Sequence, residues 1–364
     1  MKYSLDNICT FGKDKINVSS LTLENYISTE NMLPNKAGVT VASTLPTVTQ
    51  TQRYVRGDVL VSNIRPYFKK IWFADKDGGC SNDVLVFKSK ENIDKRYLYY
   101  VLANDEFFNY SMATSKGTKM PRGDKISIMA YEIEEFDIET QQKIGSLLSS
   151  IDEKIALNEQ INKNLLQQAS TIYQAWFEDF VLSNGSCPPI WKHGTLSDIA
   201  DITSGKRPPV KSTEKTDTDV IPLVGAASVM GYTTEANHTD KILVTGRVGT
   251  HGVVQRFNSP CWTSDNTLVI TSDLYEYTFQ ILQRIDYHAM NRGSTQPLIT
   301  QGDINKVTIL IPDQETLSNF ETLVGQLMEQ YEANLLENSK LAELRDTLLP
   351  RLMSGELDVS NIDI

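Results

Sequence analysis

This chain of 364 residues lacks most of the sequence features that mark secreted, membrane and metal-binding proteins. Its four cysteines and four histidines are scattered, without a Cys-x-x-Cys pair, so neither a disulfide framework nor a zinc site is indicated. No apolar run approaches the roughly 20 residues of a membrane-spanning helix, and the N-terminus lacks a signal-peptide pattern. We therefore expect a cytoplasmic protein that holds no metal and enters no membrane.

Catalytic motifs are also missing. The chain contains no G-x-x-x-x-G-K-[ST] phosphate loop and no G-x-G-x-x-G turn. The Asn/Asp-Pro-Pro-Tyr/Phe box of amino-methyltransferases is absent as well, because Pro188 and Pro189 are followed by Ile190. The few histidines do not combine with a nucleophile and an orienting group. We expect a protein that is not an enzyme, has no catalytic residue and binds no cofactor itself.

What the chain does contain is an internal repeat, the first pattern to look for in any sequence. Residues 137–140 match residues 313–316 at a shift of 176, and many later positions match at the same shift. Gly117 and Pro121 match Gly293 and Pro297 in the same way. A looser match, which needs a small insertion, pairs Asp83 with Asp265. The chain is predicted to be a tandem of two halves, each a globular part followed by a long helix.

Both long helices show an apolar seam with a period of 3.5 residues, which is typical of a coiled coil. We place them at residues 137–182 and 313–357, with Asp137 as an N-cap and a length on the order of 60 Å for the first. The apolar seam consists of Ile144, Leu148, Ile151, Ile155, Leu165, Ala169, Ile172, Trp176, Phe320, Val324, Leu327, Tyr331, Leu341, Leu348 and Leu352.

Asparagines interrupt the two seams at equivalent places, Asn158 and Asn162 in the first helix and Asn334 and Asn338 in the second. A buried asparagine costs stability but fixes the register and the partner of a helix. We therefore expect the two helices to pack on each other within one chain, as a spacer that holds two domains at a set distance. The alternative is that each helix only packs on its own domain.

The globular parts, residues 1–136 and 183–312, are rich in short β patterns. In the first part we expect strands around residues 58–62 and 82–87, a hairpin turn at 77–79 and a short helix at 97–108. In the second part we expect strands at 241–245, 252–256 and 266–270 and a matching helix at 274–290. Residues 183–189, rich in small polar residues and proline, read as the linker between the halves.

Lysines and arginines concentrate in loops of the globular parts, beside small polar residues. Lys and Arg suit phosphates, while Arg, Gln and Ser also suit base edges in the major groove. Surface loops are often basic, but the loops at 115–119 and 292–296 recur at equivalent positions, which favours a function. The candidate DNA-binding residues are Arg65, Lys69, Lys70, Ser115, Lys116, Thr118, Lys119, Arg122, Lys206, Arg207, Arg247, Thr250, His251, Arg292, Ser294, Thr295 and Gln296.

The overall charge opposes this interpretation. The formal net charge is −11, whereas affinity for DNA comes largely from positive side chains at phosphates. A DNA-binding function therefore requires locally basic surfaces, or partners that contribute positive charge.

The C-terminal segment 341–357, LAELRDTLLPRLMSGEL, closely resembles that of specificity subunits of type I restriction-modification systems. Ile311-Pro312 before Asp313, the run GDVLV at 57–61 and YISTEN at 26–31 are similar to that family too. The tandem plan extends the resemblance over essentially the whole chain. The first half departs from the family at 172–175, IYQA where the second half has LLPR at 348–351, so the two docking surfaces need not be equal.

The resemblance implies an α+β fold: two mixed α/β target-recognition domains separated by two long antiparallel coiled-coil helices, in a tandem pseudo-twofold repeat. It implies that each domain reads one half of a two-part double-stranded DNA site and that the helices set the gap. Two modification methyltransferase subunits would bring S-adenosylmethionine, and restriction/translocase subunits would bring ATP and Mg²⁺. Alternatives are a methylation-only or related restriction system, a coiled-coil scaffold that does not bind DNA, and an enzyme with an unrecognised site.

Overall fold

The structure, a computed structural model, describes residues 2–290 and 298–360. By its internal contacts the chain forms two compact units. Unit 1 comprises the described residues up to Asn158 together with those from Leu336 onward, and unit 2 is Glu159–Leu335. Each unit therefore contains one globular part and a portion of both long helices, whereas the sequence-based division set the helices apart as separate segments.

Unit 1 is built from short strands and helices. A four-stranded antiparallel sheet has the order β2-β9-β6-β7, and a second sheet has the order β3-β5-β8-β4 with β4 parallel to β8. Strand β1 pairs with β10 and joins the two ends of the globular part. The strands are β1 (Lys2–Ser4), β2 (Cys9–Phe11), β3 (Lys15–Asn17), β4 (Tyr26–Ile27), β5 (Gln50–Tyr54), β6 (Val59–Ser62), β7 (Ile71–Phe73), β8 (Gly78–Cys80), β9 (Val84–Ser89) and β10 (Glu132–Glu134).

The helices of unit 1 cover one face of the first sheet. They are α1 (Leu5–Ile8), α2 (Lys95–Ala103), α3 (Asp105–Ala113), α4 (Lys125–Met129) and the first part of α5 (Ile138–Tyr173). Phe87 of the sheet, Phe107 of α3 and the seam residues Ile144 and Leu148 of α5 share one apolar core with Leu352 from the end of the chain. The ends of the long helices are thus part of the globular core.

Unit 2 repeats this plan. Its four-stranded antiparallel sheet has the order β12-β18-β15-β16, the counterpart of β2-β9-β6-β7. Strand β11 pairs with β19 as β1 pairs with β10, and β13 runs parallel to β17 as β4 does to β8. The strands are β11 (Lys192–Thr195), β12 (Asp201–Ser204), β13 (Ile221–Val224), β14 (Val229–Thr233), β15 (Ile242–Gly246), β16 (Gln255–Phe257), β17 (Trp262–Thr263), β18 (Thr267–Thr271) and β19 (Thr308–Ile311).

The helices of unit 2 are α6 (Tyr275–Arg284), α7 (Gln301–Asn305) and the first part of α8 (Gln314–Met353). Helix α7 corresponds to α4, and β19 corresponds to β10, at the 176-residue shift of the repeat. Seam residues Phe320 and Val324 lie in the core of unit 2. The predicted fold class is confirmed in both its mixed composition and its tandem repeat.

A buried ionic network attaches α8 to the globular part of unit 2. Arg256 donates to Glu276 at 2.6 and 2.8 Å and to Glu332 of α8 at 3.0 Å. The side chains of Arg256 and Glu276 are only 6% and 5% exposed, so removing Arg256 would leave the Glu276 carboxylate as a buried charge without its partner.

Several local predictions were wrong or incomplete. The helix expected at 274–290 ends at Arg284, and the strand expected at 252–256 begins only at Gln255. The glycines at 78–79 form strand β8 rather than a hairpin turn. Glycine is needed at position 78 for close packing, because a Cβ there would lie 2.1 Å from the carbonyl oxygen of Asn25. The expected helix at 97–108 is two helices, divided at Asn104, whose side chain accepts from the N–H of Glu106 and caps α3. Helix α5 passes into a π-helical turn at Gln174–Glu178, short of residue 182.

The start and end of α5 follow from its side chains. Asp137 accepts from the N–H of Thr140 at 2.7 Å and caps the helix, as predicted. At the other end the wide π turn accommodates the ring of Phe177, which packs 4.8 Å from Tyr277 and 5.0 Å from Phe320 in the core of unit 2. No helix in the described part of the chain is long and apolar enough to cross a bilayer.

Candidate nucleic-acid interface

The predicted basic loops of unit 1 lie side by side at the end of the β6–β7 connection. We call the turn 65–70 and the loop 115–122 together the first basic face. The N–H of Arg65 donates to the carbonyl of Pro121 at 2.8 Å, which joins turn to loop. Lys116 and Arg122 exchange backbone hydrogen bonds of 2.9 and 3.0 Å across the loop. Residues that are 50 positions apart in sequence therefore form one surface.

Ion pairs hold the side chains of this face in place. Lys69 and Lys36 both reach Asp105 at 2.8 Å. Partial burial acts to raise the pKa of Asp105, but the two lysines outweigh it and hold that pKa below its usual range. Arg122 lies 3.1 Å from Asp83, an ion pair that supports a structural role for Asp83 in this loop.

The same face contains a second, more exposed ion pair. Lys116 donates to Asp124, and this hydrogen bond is the main cause that lowers the pKa of Asp124 to about 2. Ser115 donates to the carbonyl of Met112 at 2.7 Å, while Thr118 and Lys119 are exposed. The side chain of Lys116 is 80% exposed, which leaves it accessible to a phosphate.

Three residues of this region were missed by the sequence reasoning. Lys36 joins the face from a distant loop, and Tyr67 and Phe68 are exposed aromatic rings in the turn itself. Aromatic residues between lysines in a loop are a signal that could have been noticed. The approach of Lys36 depends on tertiary structure and leaves no such signal.

The loop 247–251 and the segment 206–207 form the second basic face, in unit 2. The N–H of Arg247 donates to Asn266 at 2.8 Å, and that of Lys206 donates to Thr263 at 2.9 Å, so one β-turn region positions both. The side chains of Lys206, Arg207 and Thr250 are exposed. As in unit 1, the basic side chains lie where the central strand of the sheet ends.

The second basic face depends on a close backbone approach at Gly246. The loop folds back over the end of β15, and a Cβ at Gly246 would lie 1.9 Å from the carbonyl oxygen of Thr250. The His251 Nδ1 atom lies 3.3 Å from the carbonyl of Gly246, and its Nε2 is buried without a hydrogen-bond partner among the described residues.

One detail of the second face differs from the sequence comparison. The structural counterpart of Asp83 is Asn266 rather than Asp265, because Asp83 and Asn266 accept the equivalent backbone hydrogen bonds from Asn63 and Arg247. A one-residue difference between the repeats causes this shift. The candidates Arg292, Ser294, Thr295 and Gln296 lie outside the described residues. Leu298, the first described residue after them, pairs with Val248 beside the second face.

The four seam asparagines pair in the way the repeat predicts. In unit 1 the Asn158 Nδ2 donates to the Asn338 side-chain oxygen at 2.8 Å, and in unit 2 the Asn334 Nδ2 donates to that of Asn162 at 2.8 Å. Asn162 and Asn338 donate in turn to the carbonyls of Tyr331 and Ile155. Every bond in this set has its equivalent at a shift of 176 residues. Their role in fixing register stays a prediction.

Chemistry beyond recognition finds little support in the described residues. Among residues 2–290 and 298–360, no group of three or more His, Cys, Asp and Glu side chains could hold a metal ion. The most perturbed carboxylate, Glu321, is buried, which raises its pKa to about 7, and it accepts the N–H groups of Glu276 and Tyr277. This arrangement caps a helix.

The protein-family model of the type I restriction modification DNA specificity domain matches residues 2–167 and again residues 188–345. The chain belongs to this family. Its tandem of two specificity domains is the repeat seen in both the sequence and the fold, and members of the family recognise DNA rather than catalyse a reaction. The scaffold and enzyme alternatives are therefore not favoured.

Three type I specificity subunits are similar to this chain over most of its length. The HindI specificity subunit of Haemophilus influenzae is 24% identical in an alignment that covers 98% of this chain and 99% of the relative. The MjaIX specificity subunit of Methanocaldococcus jannaschii is 27% identical and covers 75% of this chain, with 71% of its own length aligned. The S subunit of a type I restriction-modification system from M. genitalium has the same fold, with a TM-score of 0.62 at 18% identity over 97% of this chain and 96% of that one.

Proposed function

We propose that the two basic faces each read one half of a bipartite DNA target. The observation that carries this proposal is that separate basic loops converge at equivalent ends of the two central sheets, in a chain whose net charge is −11. An acidic chain that places a cluster of lysines and arginines on each of two equivalent surfaces provides the local positive field that phosphates require. On this proposal the small polar side chains beside them contact base edges.

The paired helices α5 and α8 set the number of unspecified base pairs between the half-sites. Two methyltransferase subunits dock on these helices and methylate adenine in each half-site with S-adenosylmethionine. Restriction subunits supply ATP- and Mg²⁺-dependent translocation and cleavage. The specificity chain acts in the cytoplasm, and the partners contribute phosphate contacts that its net charge does not. A methylation-only or related restriction system would use the same chain with different partners.

Helix length provides the test of the spacer. Inserting seven residues into both helices, after Glu159 and after Leu335, keeps the 3.5-residue seam and adds about 10 Å, or about three base pairs. We expect methylation sequencing of cells that carry the complete system to show unchanged half-sites and a longer gap.

A matched control inserts seven residues into the linker at 183–189, where the expected gap is unchanged. An unchanged gap after the helix insertions, in complexes that still methylate DNA, would show that the helices do not set the spacing.

A further inference from the structure

The first basic face contains two exposed aromatic rings that its charges do not explain. Tyr67 and Phe68 are 49% and 37% exposed, and their ring centroids lie 4.6 Å apart. Large exposed apolar side chains at the centre of a polar surface often mark a binding site. The loop 247–254 of unit 2, RVGTHGVV, has no aromatic residue apart from its histidine.

The turn that carries these rings is held rigidly. Arg65 and Lys69, on either side of the rings, adopt left-handed backbone conformations with φ of 52° and 50°. Asn35 and Lys36 donate their N–H groups to the carbonyls of Phe68 and Lys69 at 2.8 and 2.9 Å. Backbone strain in non-glycine residues persists only where surrounding structure imposes it. The rings are therefore presented in a fixed position, which lowers the entropy lost on binding.

The charge around the rings selects the partner. Arg65, Lys69 and Lys70 flank the pair along the turn, and Lys36 reaches Asp105 beside Lys69; in the described chain Asp105 is the carboxylate that contacts these cations. An apolar patch framed by cations suits a groove of duplex DNA, where phosphates flank the edges of the bases.

The exposed surface of the rings favours contact with a base edge over insertion between bases. The Lys70 ammonium lies 5.7 Å from the centroid of the Phe68 ring, and the Tyr67 ring covers another part of it. Tyr67 and Phe68 are 49% and 37% exposed as whole residues, and each ring has the other on one side, so neither projects with two free faces as an intercalating wedge does. The apolar group on base edges in the major groove is the C5-methyl of thymine.

We propose that Tyr67 and Phe68 are specificity-determining residues that contact the C5-methyl of a thymine in the half-site read by unit 1. The inference rests on the proposed function, which assigns that half-site to the first basic face. Methylation of adenine in each half-site, also part of that proposal, ensures that the half-site contains an A·T pair and thus a thymine.

The test measures binding of the complete specificity–methyltransferase complex to its target duplex, with each thymine of both half-sites replaced in turn by deoxyuridine. We expect one replacement in the first half-site to weaken binding about three- to fivefold, the factor that follows from burying one methyl group. In the double variant Tyr67→Ala/Phe68→Ala this replacement should have no effect. The variant pair Tyr67→Phe and Phe68→Leu, which stays apolar, should retain the sensitivity.

Replacements in the second half-site are the internal control, because they should affect the wild type and the Tyr67→Ala/Phe68→Ala variant equally. The inference is overturned if the aromatic variants leave every deoxyuridine effect unchanged. It is also overturned if they weaken all duplexes alike and abolish a 2-aminopurine signal of unstacking, which would identify a wedge. Failure of the proposed function is distinct: Arg65→Ala and Lys119→Ala would then leave binding to the target unchanged.

Discussion

The two units cap equivalent helices of their globular parts with carboxylates from different places in the chain. In unit 1, Asp94 at the start of α2 accepts from the N–H of Tyr97 at 2.8 Å. In unit 2 the N-cap of α6 is Leu274, which cannot accept, and the Glu321 carboxylate of α8 accepts the N–H groups of Glu276 and Tyr277 instead. The carboxylate has moved from the capped helix to the long helix that packs against it.

The residue that faces this cap has changed in step. The position of Glu321 in α8 corresponds, at the 176-residue shift, to Gly145 in α5. A Cβ at Gly145 would lie 2.7 Å from the Asp94 carboxylate and 3.1 Å from the backbone nitrogen of Tyr97. One unit therefore needs a glycine where the other needs a carboxylate, and the attachment of each recognition domain to its long helix depends on this exchange.

The largest expected effect on stability comes from adding a side chain at Gly145. Gly145→Ala forces α2 away from α5, and overpacking of this kind costs about 1–3 kcal/mol. We expect urea unfolding to show that loss. Gly325→Ala is the matched control in α8, where no atom lies within 4 Å of the added methyl group; there helix propensity predicts a small gain. Equal stability of the Gly145→Ala and Gly325→Ala variants would contradict the close-approach explanation.

A smaller loss is expected from removing the displaced cap. Glu321→Ala leaves the first N–H groups of α6 without their acceptor, which costs about 0.5–2 kcal/mol. Adding Leu274→Asp to that variant should restore part of the stability, because it recreates the arrangement of unit 1. Thermal unfolding of the single and double variants measures both effects, and a further loss in the double variant would show that the two caps are not interchangeable.

An effect comparable in size to removal of the cap is expected from pH. Burial raises the pKa of Glu321 to about 7, above its ordinary value of 4.5, so the folded protein favours the protonated form. Its contribution to stability is fully present below about pH 4.5 and is lost as the pH rises through 7. Relative to Glu321→Gln, the wild type should therefore lose roughly 1–2 kcal/mol between pH 5 and pH 8. A constant difference in urea midpoint over that range would contradict the buried carboxylate.

The basic faces differ in construction as the caps do. The first is held by left-handed non-glycine residues and by two lysines on Asp105, whereas Gly246 builds the second by letting a loop fold back on the sheet. Two halves that share a fold can present different recognition surfaces because the loops are supported by local contacts of their own. An asymmetric DNA target is the expected consequence.

Sequence reasoning succeeded where the signal is periodic or repeated. The apolar seams of α5 and α8, the packing of the two helices on each other and the locations of several strands could be predicted from spacing and from the shift of 176 residues. It failed where a residue has two possible uses. Gly78 signals a turn by composition, yet it serves close packing of β8 against Asn25, and only the fold distinguishes the two.

The candidate site divides in the same way. The lysine- and arginine-rich loops could be found from the sequence, because charge clusters are visible along the chain. Their convergence, the arrival of Lys36 and the exposure of Tyr67 depend on contacts between distant segments. These contacts leave no local pattern in a single sequence.

The central claim is that two units of one chain each specify half of a DNA target. The most direct measurement is long-read methylation sequencing of the source cell, with the gene present, deleted, and replaced by the first-face variant Arg65→Ala/Lys119→Ala. The account predicts that a two-part methyladenine motif disappears on deletion and that the variant relaxes or loses one half-site while the other half-site remains. Persistence of every methylated motif in deleted cells that still express the active cognate methyltransferase would contradict it.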